Sequence, residues 1–352
     1  MRVRHILALL AAGSLLYLLL WPTGGTFEAF TYPDPPAWEG PLAVDEALRD
    51  LPATAEVGEG PEDVAVAADG TLYTGIADGH IMLLEPGAKE WRPLTLTYGR
   101  PLGLAFSPDE RWLYVADAER GLMRTDRAGH LERLVDTLGG EDLGLVDDLA
   151  VGADGHVYFT TASTRHAWDE SRDAMLEHHG TGKLLRYDPV TRRLDLLIDD
   201  LQFANGVALV PDGSAVLVAA TGGYRVLRYG LRGRDSARVT VFADNLPGFP
   251  DGLDYDPRGR LWVSIPNRRN ALLERLGPRP FMREVVYRLP EQFKPQPERY
   301  GLVLALDAQG RIVESLHDPT GDLAAVTNFV WAGPDTAYAA TLVGRELRRY
   351  VR

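Results

Sequence analysis

Cysteine is absent from this chain of 352 residues. The absence excludes disulfide bonds, zinc–thiolate sites and cysteine nucleophiles, but it does not exclude a location outside the cytoplasm. Positive charge is scarce as well. The chain has 37 lysine and arginine residues and 50 aspartate and glutamate residues, which gives a formal net charge of -13. No basic cluster with interleaved aromatic residues offsets this excess. The composition therefore argues against a nucleic acid partner.

The motifs of several enzyme classes are missing too. The sequence contains no Gly-x-Ser-x-Gly elbow, no phosphate-binding glycine loop and no His-Glu-x-x-His helix. These absences argue against an elbow-type serine hydrolase, a phosphate-loop enzyme and a helix-borne zinc hydrolase.

Long hydrophobic runs are limited to the N-terminus. Basic residues at positions 2 and 4 precede a low-polarity stretch from Ile6 to Trp21, which Pro22 ends. We predict a signal anchor or transmembrane segment at residues 1–22, with its N-terminus in the cytoplasm, and a tether at residues 23–41. A cleaved signal peptide is the alternative. Both interpretations place the rest of the chain on the periplasmic or extracytoplasmic side of a membrane.

A short pattern recurs about six times in the remaining sequence. Each copy opens with a few polar or small residues, then runs through a turn, commonly Asp-Gly, into a strand of apolar and aromatic character. The openings are residues 60–64, 100–104, 146–149, 204–207, 250–253 and 327–330. The turn-and-strand segments are residues 69–73, 109–114, 154–158, 212–217, 258–262 and 335–338. Such a unit cannot bury its apolar face alone, so the copies must pack on one another.

Repeats of roughly 40 to 50 residues built from short strands are typical of a β-propeller, in which each repeat forms one four-stranded blade. The 45% hydrophobic residues and 36 glycines suit such a turn-rich, strand-rich protein. The repeats leave no linker between two halves. We therefore predict an all-β fold, a six-bladed β-propeller at residues 42–352 preceded by a hydrophobic anchor helix.

Four oxygen-bearing side chains stand where the inner strand of a blade begins: Glu62, Asp147, Asn205 and Asp251. Equivalent positions of successive blades converge on the central channel, so these side chains are expected to meet there. Carboxylate and amide oxygens suit a hard cation such as calcium, while manganese and zinc are alternatives. Taken singly, Asp or Asn beside Gly is more commonly a turn former that caps its own backbone.

Other segments complete the predicted ring. Alternating runs predict outer strands at residues 80–84, 183–187, 224–229, 285–288 and 302–306. The stretch 345–351 is expected to close the ring with an N-terminal segment, for which residues 44–57 supply a lead-in helix or a closing strand. Three insertions lengthen the third blade (164–180) and the fifth and sixth (267–283 and 292–300), and such loops usually shape the channel mouth. We expect His178 and His179 at the surface of the first insertion, whereas Trp168, Tyr224 and Phe249 belong either to the core or to a substrate pocket.

Several segments resemble the strictosidine synthase-like family, whose animal members also carry an N-terminal membrane anchor. They are residues 60–62, 72–79, 99–103, 203–209, 246–251 and 318–321. The likeness runs from about Pro41 to the C-terminus. More distantly, the chain is similar to the gluconolactonase and paraoxonase propellers.

The resemblance implies a calcium ion at the channel mouth. Glu62, Asn205 and Asp251 match the family's glutamate, asparagine and aspartate ligands, whereas Asp147 stands where the family usually has asparagine. The added carboxylate should strengthen cation binding and damp the Lewis acidity of the metal. The neighbouring Asp148 faces either a second, structural ion or a backbone turn.

The resemblance also bears on the chemistry. The plant synthases use a glutamate in the last blade, but this chain has Thr327 and Asn328 near that position, which disfavours strictosidine synthase activity. Paraoxonases use a histidine pair, and Leu102 stands where one of them follows a proline. The leading hypothesis is a membrane-anchored, calcium-dependent arylesterase or lactonase acting on small esters or lactones, with Asp251 or Asp147 orienting water. The alternative is a non-catalytic propeller that binds a ligand or protein partner and holds a structural calcium.

Overall fold

Six antiparallel sheets in sequence order form the fold in the computed structural model, which describes residues 2–352. The first two sheets contain β1 (Ala65–Val66), β2 (Leu72–Gly75), β3 (His80–Leu84) and β4 (Arg92–Leu96), then β5 (Pro101–Phe106), β6 (Leu113–Asp117), β7 (Gly121–Thr125) and β8 (Leu131–Val135). A small hairpin follows, made of β9 (Thr137–Leu138) and β10 (Glu141–Asp142). The third and fourth sheets contain β11 (Leu145–Val151), β12 (Val157–Ser163), β13 (Gly182–Asp188) and β14 (Arg193–Leu201), then β15 (Ala204–Leu209), β16 (Ala215–Ala220), β17 (Arg225–Gly230) and β18 (Val239–Ala243). The last two contain β19 (Leu253–Tyr255), β20 (Leu261–Ser264), β21 (Gly301–Leu306) and β22 (Ile312–Asp318), then β23 (Val326–Trp331), β24 (Thr336–Thr341) and β25 (Arg348–Val351).

Each sheet is a blade, and the six-bladed β-propeller predicted from the repeats is confirmed. The Asp-Gly turns join the two inner strands as expected: at Asp154-Gly155 the carboxylate accepts a hydrogen bond from the backbone N–H of His156 at 3.2 Å, and Gly155 takes φ +83°. Such a left-handed conformation favours glycine, which explains the recurrence of this dipeptide.

The hydrophobic core lies between the blades. Each of six apolar clusters combines side chains of two neighbouring blades, and one of them joins Val64 and Leu72 of the first blade to Ala340 of the last. Each blade therefore buries its apolar faces against its neighbours, as the isolated repeat requires.

The ring closes by pairing the two ends of the propeller. Ala53 forms an antiparallel bridge with Arg348. On either side, the Thr54 N–H donates to the Leu347 carbonyl at 2.9 Å, and the Arg349 N–H donates to the Pro52 carbonyl at 2.7 Å. The N-terminal segment thus supplies an outer strand to the three-stranded sixth blade, which confirms the predicted closure and selects the closing-strand option for this segment.

Helices lie outside the blades. They are α1 (Arg2–Leu20), α2 (Ser171–Glu177), α3 (Ala271–Leu276) and α4 (Pro280–Tyr287), with short 3-10 turns at Gly40–Leu42, Trp168–Glu170, Thr221–Gly223, Gly233–Asp235 and Glu291–Phe293. Helix α2 lies in the connection between β12 and β13, whereas α3 and α4 both lie between β20 and β21. In an antiparallel blade, this second-to-third connection emerges at the end where the inner strand begins. Both insertions therefore stand above the start of the inner strands.

Two predictions about the connection between β20 and β21, which we call the second insertion, were wrong. Residues 285–288 do not form a strand, because Pro280 starts a helix at its first turn and the helix runs to Tyr287. In addition, residues 292–300 do not lengthen the sixth blade, since the whole stretch from Ser264 to Gly301 joins two strands of the fifth.

The expected tether at residues 23–41 runs along these insertions. The Glu28 N–H donates to the Glu177 carbonyl at 3.0 Å, and the Phe30 N–H donates to the Gly277 carbonyl at 3.1 Å. One backbone hydrogen bond thus joins this segment to each insertion.

Candidate metal centre and active site

Three of the four side chains predicted to meet at the channel lie close together, and the fourth lines the same cavity. Glu62, Asp147 and Asp251 each offer a carboxylate oxygen, and these oxygens lie within 4.8 Å of one another. Asn205 lines the same cavity as the three carboxylates. They come from the starts of the inner strands of the first, third, fourth and fifth blades, so the ring geometry itself brings them together.

The electrostatics of the cluster are unfavourable in the absence of a cation. Burial raises the pKa of Glu62 well above its ordinary value and Asp147 raises it further, while Arg100 lowers it by less. Burial, followed by the charge of Glu62, likewise raises the pKa of Asp251. For Asp147 the causes are burial and then Asp148. Three buried carboxyl groups therefore resist ionisation together unless positive charge is added.

The donor set fits calcium. The cluster offers only hard oxygen ligands, which calcium and magnesium prefer over nitrogen and sulfur. Asp251 Oδ1 is buried and has no hydrogen-bond partner among the described residues. Since a buried polar atom without a partner is costly, this oxygen is suited to a ligand outside the chain.

A second set of carboxylates points away from the cavity. Asp148 accepts hydrogen bonds from the backbone N–H groups of Leu149 at 2.7 Å and of Val207 in the next blade at 2.8 Å. The sequence left two roles open for Asp148, contact with a second ion or with the backbone. Its hydrogen bonds show that it contacts the backbone. Asp63 repeats the arrangement with Val64 and Leu104, at 2.7 and 2.8 Å. These carboxylates therefore hold neighbouring inner strands in register around the site.

Sequence reasoning missed the two residues of the sixth blade that hold Glu62. The Thr327 hydroxyl donates to the Glu62 carbonyl at 2.6 Å, and the Asn328 amide donates to the same oxygen at 3.4 Å. The signal was present, because Thr327 and Asn328 open the sixth repeat just as the four predicted site residues open theirs.

Two glycines allow the inner strands to approach closely behind the ligands. A Cβ on Gly206 would lie 2.2 Å from the Asp251 carbonyl oxygen, and one on Gly252 would lie 1.8 Å from Asn328 Oδ1. Neither position tolerates a side chain without displacing the neighbouring blade. The glycines of the Ala-Asn-Gly and Pro-Asp-Gly segments thus serve packing, while the preceding residue faces the cavity.

Above the carboxylates lies a cavity of about 310 Å³. Its walls include Leu102, Leu145, Phe203, Phe249 and Leu342. The insertions contribute Trp168, Met175, Leu176, Leu272, Leu273, Leu276 and Val286. The prediction that the long loops shape the channel mouth is therefore confirmed. Of the three aromatic residues with two predicted roles, Trp168 and Phe249 line the cavity, whereas Tyr224 is buried beside Phe249.

His178 is buried, so the prediction of a surface position was wrong for it. Its ring lies 4.0 Å from that of Phe30, and its Nε2 is 2.9 Å from the Tyr32 hydroxyl. Both aromatic residues come from the N-terminal segment, about 150 positions away in the sequence, which no local pattern reveals. Burial, assisted by Arg283, lowers the pKa of His178 to about 4. Its ring is not among the groups that line the main cavity, while His179 is half-buried and pairs with Glu28.

Comparison with known proteins places this architecture in a family. The adipocyte plasma membrane-associated protein of Salmo salar is 34% identical over 328 residues, which cover 85% of this chain and 77% of that protein. The chain belongs to the strictosidine synthase-like family. Two family models agree: strictosidine synthase matches residues 147–234, and the strictosidine synthase-like N-terminal model matches residues 40–84.

Solved structures share the strictosidine synthase-like fold of this chain. A gluconolactonase from Xanthomonas campestris aligns with a TM-score of 0.62 at 20% identity, covering 94% of this chain and 98% of its own. A calcium-binding protein, regucalcin, from Agrobacterium tumefaciens aligns with a TM-score of 0.57 at 17% identity, covering 87% and 95%. At this identity the likeness establishes a common propeller fold.

Proposed function

We propose that this protein is a calcium-dependent hydrolase of lactones or simple esters. The observation that carries the proposal is the cluster of three buried carboxylates within 4.8 Å of one another beneath a largely apolar cavity. A gluconolactonase and a calcium-binding protein with the same fold support it.

Glu62, Asp147, Asn205 and Asp251 would hold the ion. When bound, calcium polarises a substrate carbonyl and stabilises the negative charge that develops on its oxygen. Asp251 is the preferred group for orienting water, because its buried Oδ1 has no hydrogen-bond partner among the described residues. Asp147 is the second candidate for this role, since it belongs to the same cluster.

The cavity favours the apolar part of a substrate. Leu145, Phe203 and Phe249 provide walls without hydrogen-bonding groups, and Trp168 contributes a large ring from the insertion above. Such walls exclude water from the reacting carbonyl. The exclusion strengthens the electrostatic contribution of the carboxylate cluster and its ion.

Two related chemistries are disfavoured by the same site. Asn328 carries an amide where a synthase of this family would need a carboxylate, and an amide does not transfer protons at neutral pH. Leu102 lines the cavity where a paraoxonase-type histidine would act, and His178 faces the aromatic residues of the N-terminal segment instead.

The location proposed for the propeller follows from α1. Its stretch Val3–Leu20 is long and apolar enough to cross a membrane. Basic residues at the N-terminus favour a cytoplasmic start, so the propeller would lie on the extracytoplasmic side.

Hydrolysis of phenyl acetate and of a γ-lactone by the full chain tests the proposal. Turnover should disappear on chelation, return with calcium and fall at least about a hundredfold in Asp251→Ala. Asp212→Ala, an exposed turn residue, is the matched control and should retain full turnover. A protein that binds calcium and melts later with it, yet hydrolyses neither compound, contradicts the hydrolase and favours the binding platform.

A further inference from the structure

Several exposed apolar side chains lie on the second insertion, which also contributes to the mouth of the cavity. Leu272, Phe281, Met282 and Phe293 are 44%, 51%, 43% and 67% exposed. We refer to these four side chains as the lid face. Leu272 also lines the cavity, so this side chain belongs to both the lid face and the cavity wall. Clustered apolar exposure of this kind marks a surface that contacts something other than water.

The lid face adjoins the end of α1. The Arg288 guanidinium at the C-terminal end of α4 donates from Nε to the Trp21 carbonyl at 2.6 Å and from Nη1 to the Leu18 carbonyl at 3.0 Å. These are the carbonyl groups that a helix leaves without partners at its C-terminus, where a cation is favourable. The final turn of α1 is thereby fixed to the insertion that carries the lid face.

This contact places the lid face near the membrane surface. If α1 crosses a bilayer, its last carbonyl groups lie at the interface, as does Trp21, an aromatic residue common at that depth. Helix α4 has eight residues and is therefore about 12 Å long. With the length of the Arg288 side chain added, Phe281 and Met282 in its first turn lie within roughly 20 Å of the carbonyl groups at the end of α1.

The local charge also matches a lipid surface. Residues 267–288 contain six arginines and two glutamates in a chain whose formal net charge is -13. Arg283 is buried, and Arg268, Arg269 and Arg288 pair with glutamates, which leaves two arginines for a lipid surface. Arg275 and Arg279 are exposed on the same insertion. Cationic side chains among exposed apolar ones are typical of segments that rest on anionic lipid head groups.

We propose that the lid face rests on the phospholipid bilayer that holds α1, and that the cavity receives esters or lactones dissolved in that bilayer. The second part of this proposal, the entry of substrate from the bilayer, rests on the proposed hydrolase function. The first part, the contact between the lid face and the bilayer, does not depend on that function. The substrate class would be compounds with a long apolar chain, since such compounds concentrate in the membrane and enter a mouth lined by Leu272 and its neighbours.

Spin labels test the bilayer contact without any enzyme assay. Because the natural chain has no cysteine, Phe281→Cys and Met282→Cys can each carry one nitroxide in the full chain. Val190→Cys is the control: Val190 is 90% exposed in the turn between β13 and β14, at the opposite end of the blade. Thermal unfolding of each variant checks that it is folded.

The measurement is electron paramagnetic resonance in vesicles of phosphatidylcholine containing phosphatidylglycerol. Labels at positions 281 and 282 should collide with dissolved oxygen in preference to an aqueous nickel complex, and the label at 190 should show the reverse. Labels at 281 and 282 that behave like the one at 190 would overturn the proposal and leave a protein partner as the occupant of the lid face.

Activity provides the second readout. The double variant Phe281→Glu with Met282→Glu should hydrolyse a long-chain lactone presented in vesicles at least about tenfold more slowly, while water-soluble phenyl acetate is hydrolysed within about twofold of the natural rate. An equal loss on both substrates would overturn the membrane route. If neither substrate is hydrolysed by the natural chain, the hydrolase proposal fails, and the spin-label result decides the bilayer contact alone.

Discussion

At the scale of single residues, the site is built from adjacent acidic pairs that divide two tasks. In Glu62-Asp63 and Asp147-Asp148, the first side chain belongs to the metal-type cluster and the second accepts backbone hydrogen bonds from the next blade. The division follows from the alternation of side chains along a strand, because neighbours point to opposite sides. One dipeptide therefore supplies both a carboxylate of the cluster and the anchor that holds it.

Asp147→Asn tests the added carboxylate. We expect calcium affinity to fall roughly tenfold, because one negative charge leaves the cluster. Without calcium the variant should melt at a higher temperature than the natural chain, since the repulsion around Asp147 is relieved. Titration calorimetry and thermal unfolding with and without chelator measure both effects. Unchanged affinity would show that Asp147 is not a ligand.

The pH dependence of the chelated protein follows from the raised pKa values. Burial raises the pKa of Asp63 to about 6 and that of Asp254 to about 7, and the three cluster carboxyls move in the same direction. Above about pH 4 the unfolded chain releases protons that the folded chain still holds. The free energy of unfolding therefore falls as pH rises through this range, and its full value is present only at lower pH.

Without calcium, the melting temperature should accordingly drop by at least about 5 °C between pH 5 and pH 8. With saturating calcium the drop should shrink or reverse, because the ion binds the ionised carboxylates and its affinity rises with pH. Thermal unfolding across this range, with calcium and with chelator, checks the prediction. Identical pH profiles would exclude a cation at the cluster.

The meeting of the three cluster carboxylates could be predicted from sequence because the repeats place them at equivalent points of a ring. The anchoring role of Asp63 could not, since its acceptor bond to Leu104 spans 41 positions and only the folded ring reveals it. The same limit explains the wrong prediction for His178, whose contact with Tyr32 spans 146 positions.

At the scale of elements, one buried arginine contributes to holding the two insertions together, beside the ion pairs Lys294–Asp173 and Arg172–Glu291. Arg283 of α4 is fully buried, donates to the Leu176 carbonyl at 2.6 Å at the end of α2, and also donates to the Glu28 carbonyl. The guanidinium carbon Cζ of Arg283 lies over the ring of Phe30, 4.8 Å from the ring centre. A single side chain thus joins both insertions and the segment that follows the anchor.

Arg283→Met should loosen this contact and leave the blades intact. Removing the charged donor leaves buried carbonyl groups without a hydrogen-bond partner. We therefore expect the insertions, and not the blades, to lose about 2 to 3 kcal/mol of stability. Hydrogen exchange should accelerate at residues 165–180, while β16 and β21 stay protected. Arg283→Lys, which keeps a donor, is the control. Equal loss of protection in the blades would show that the arginine supports the whole fold.

The insertions were also where sequence reasoning about elements was least successful. The run Val285-Val286-Tyr287 combines two β-branched residues with an aromatic one, so it suits a strand as well as a short helix. Pro280 five residues earlier favours a helix start, and the helix is what forms. Blade strands were easier to predict, because each has a counterpart at the same point of another repeat.

At the scale of the whole molecule, stability depends on closing the ring. Thr54→Pro removes the N–H that donates to Leu347 and should lower stability by about 3 kcal/mol. Thr54→Ser keeps both the N–H and the hydroxyl that accepts from Leu347, so it should change little. Denaturant unfolding of both variants measures the difference. Equal stability of the two would mean that the pairing of the ends contributes nothing.

The closing pair also sets an order of events during synthesis. Thr54 and Leu347 lie 293 positions apart, so a ribosome adding about 5 to 20 residues per second needs roughly 15 to 60 s between them. During that interval the anchor has already emerged and the first blade has no partner on one side, with Val64 and Leu72 uncovered. The chain therefore spends most of its synthesis as an open ring with one uncovered apolar face, and a ribosome that stops a few codons early releases that open ring.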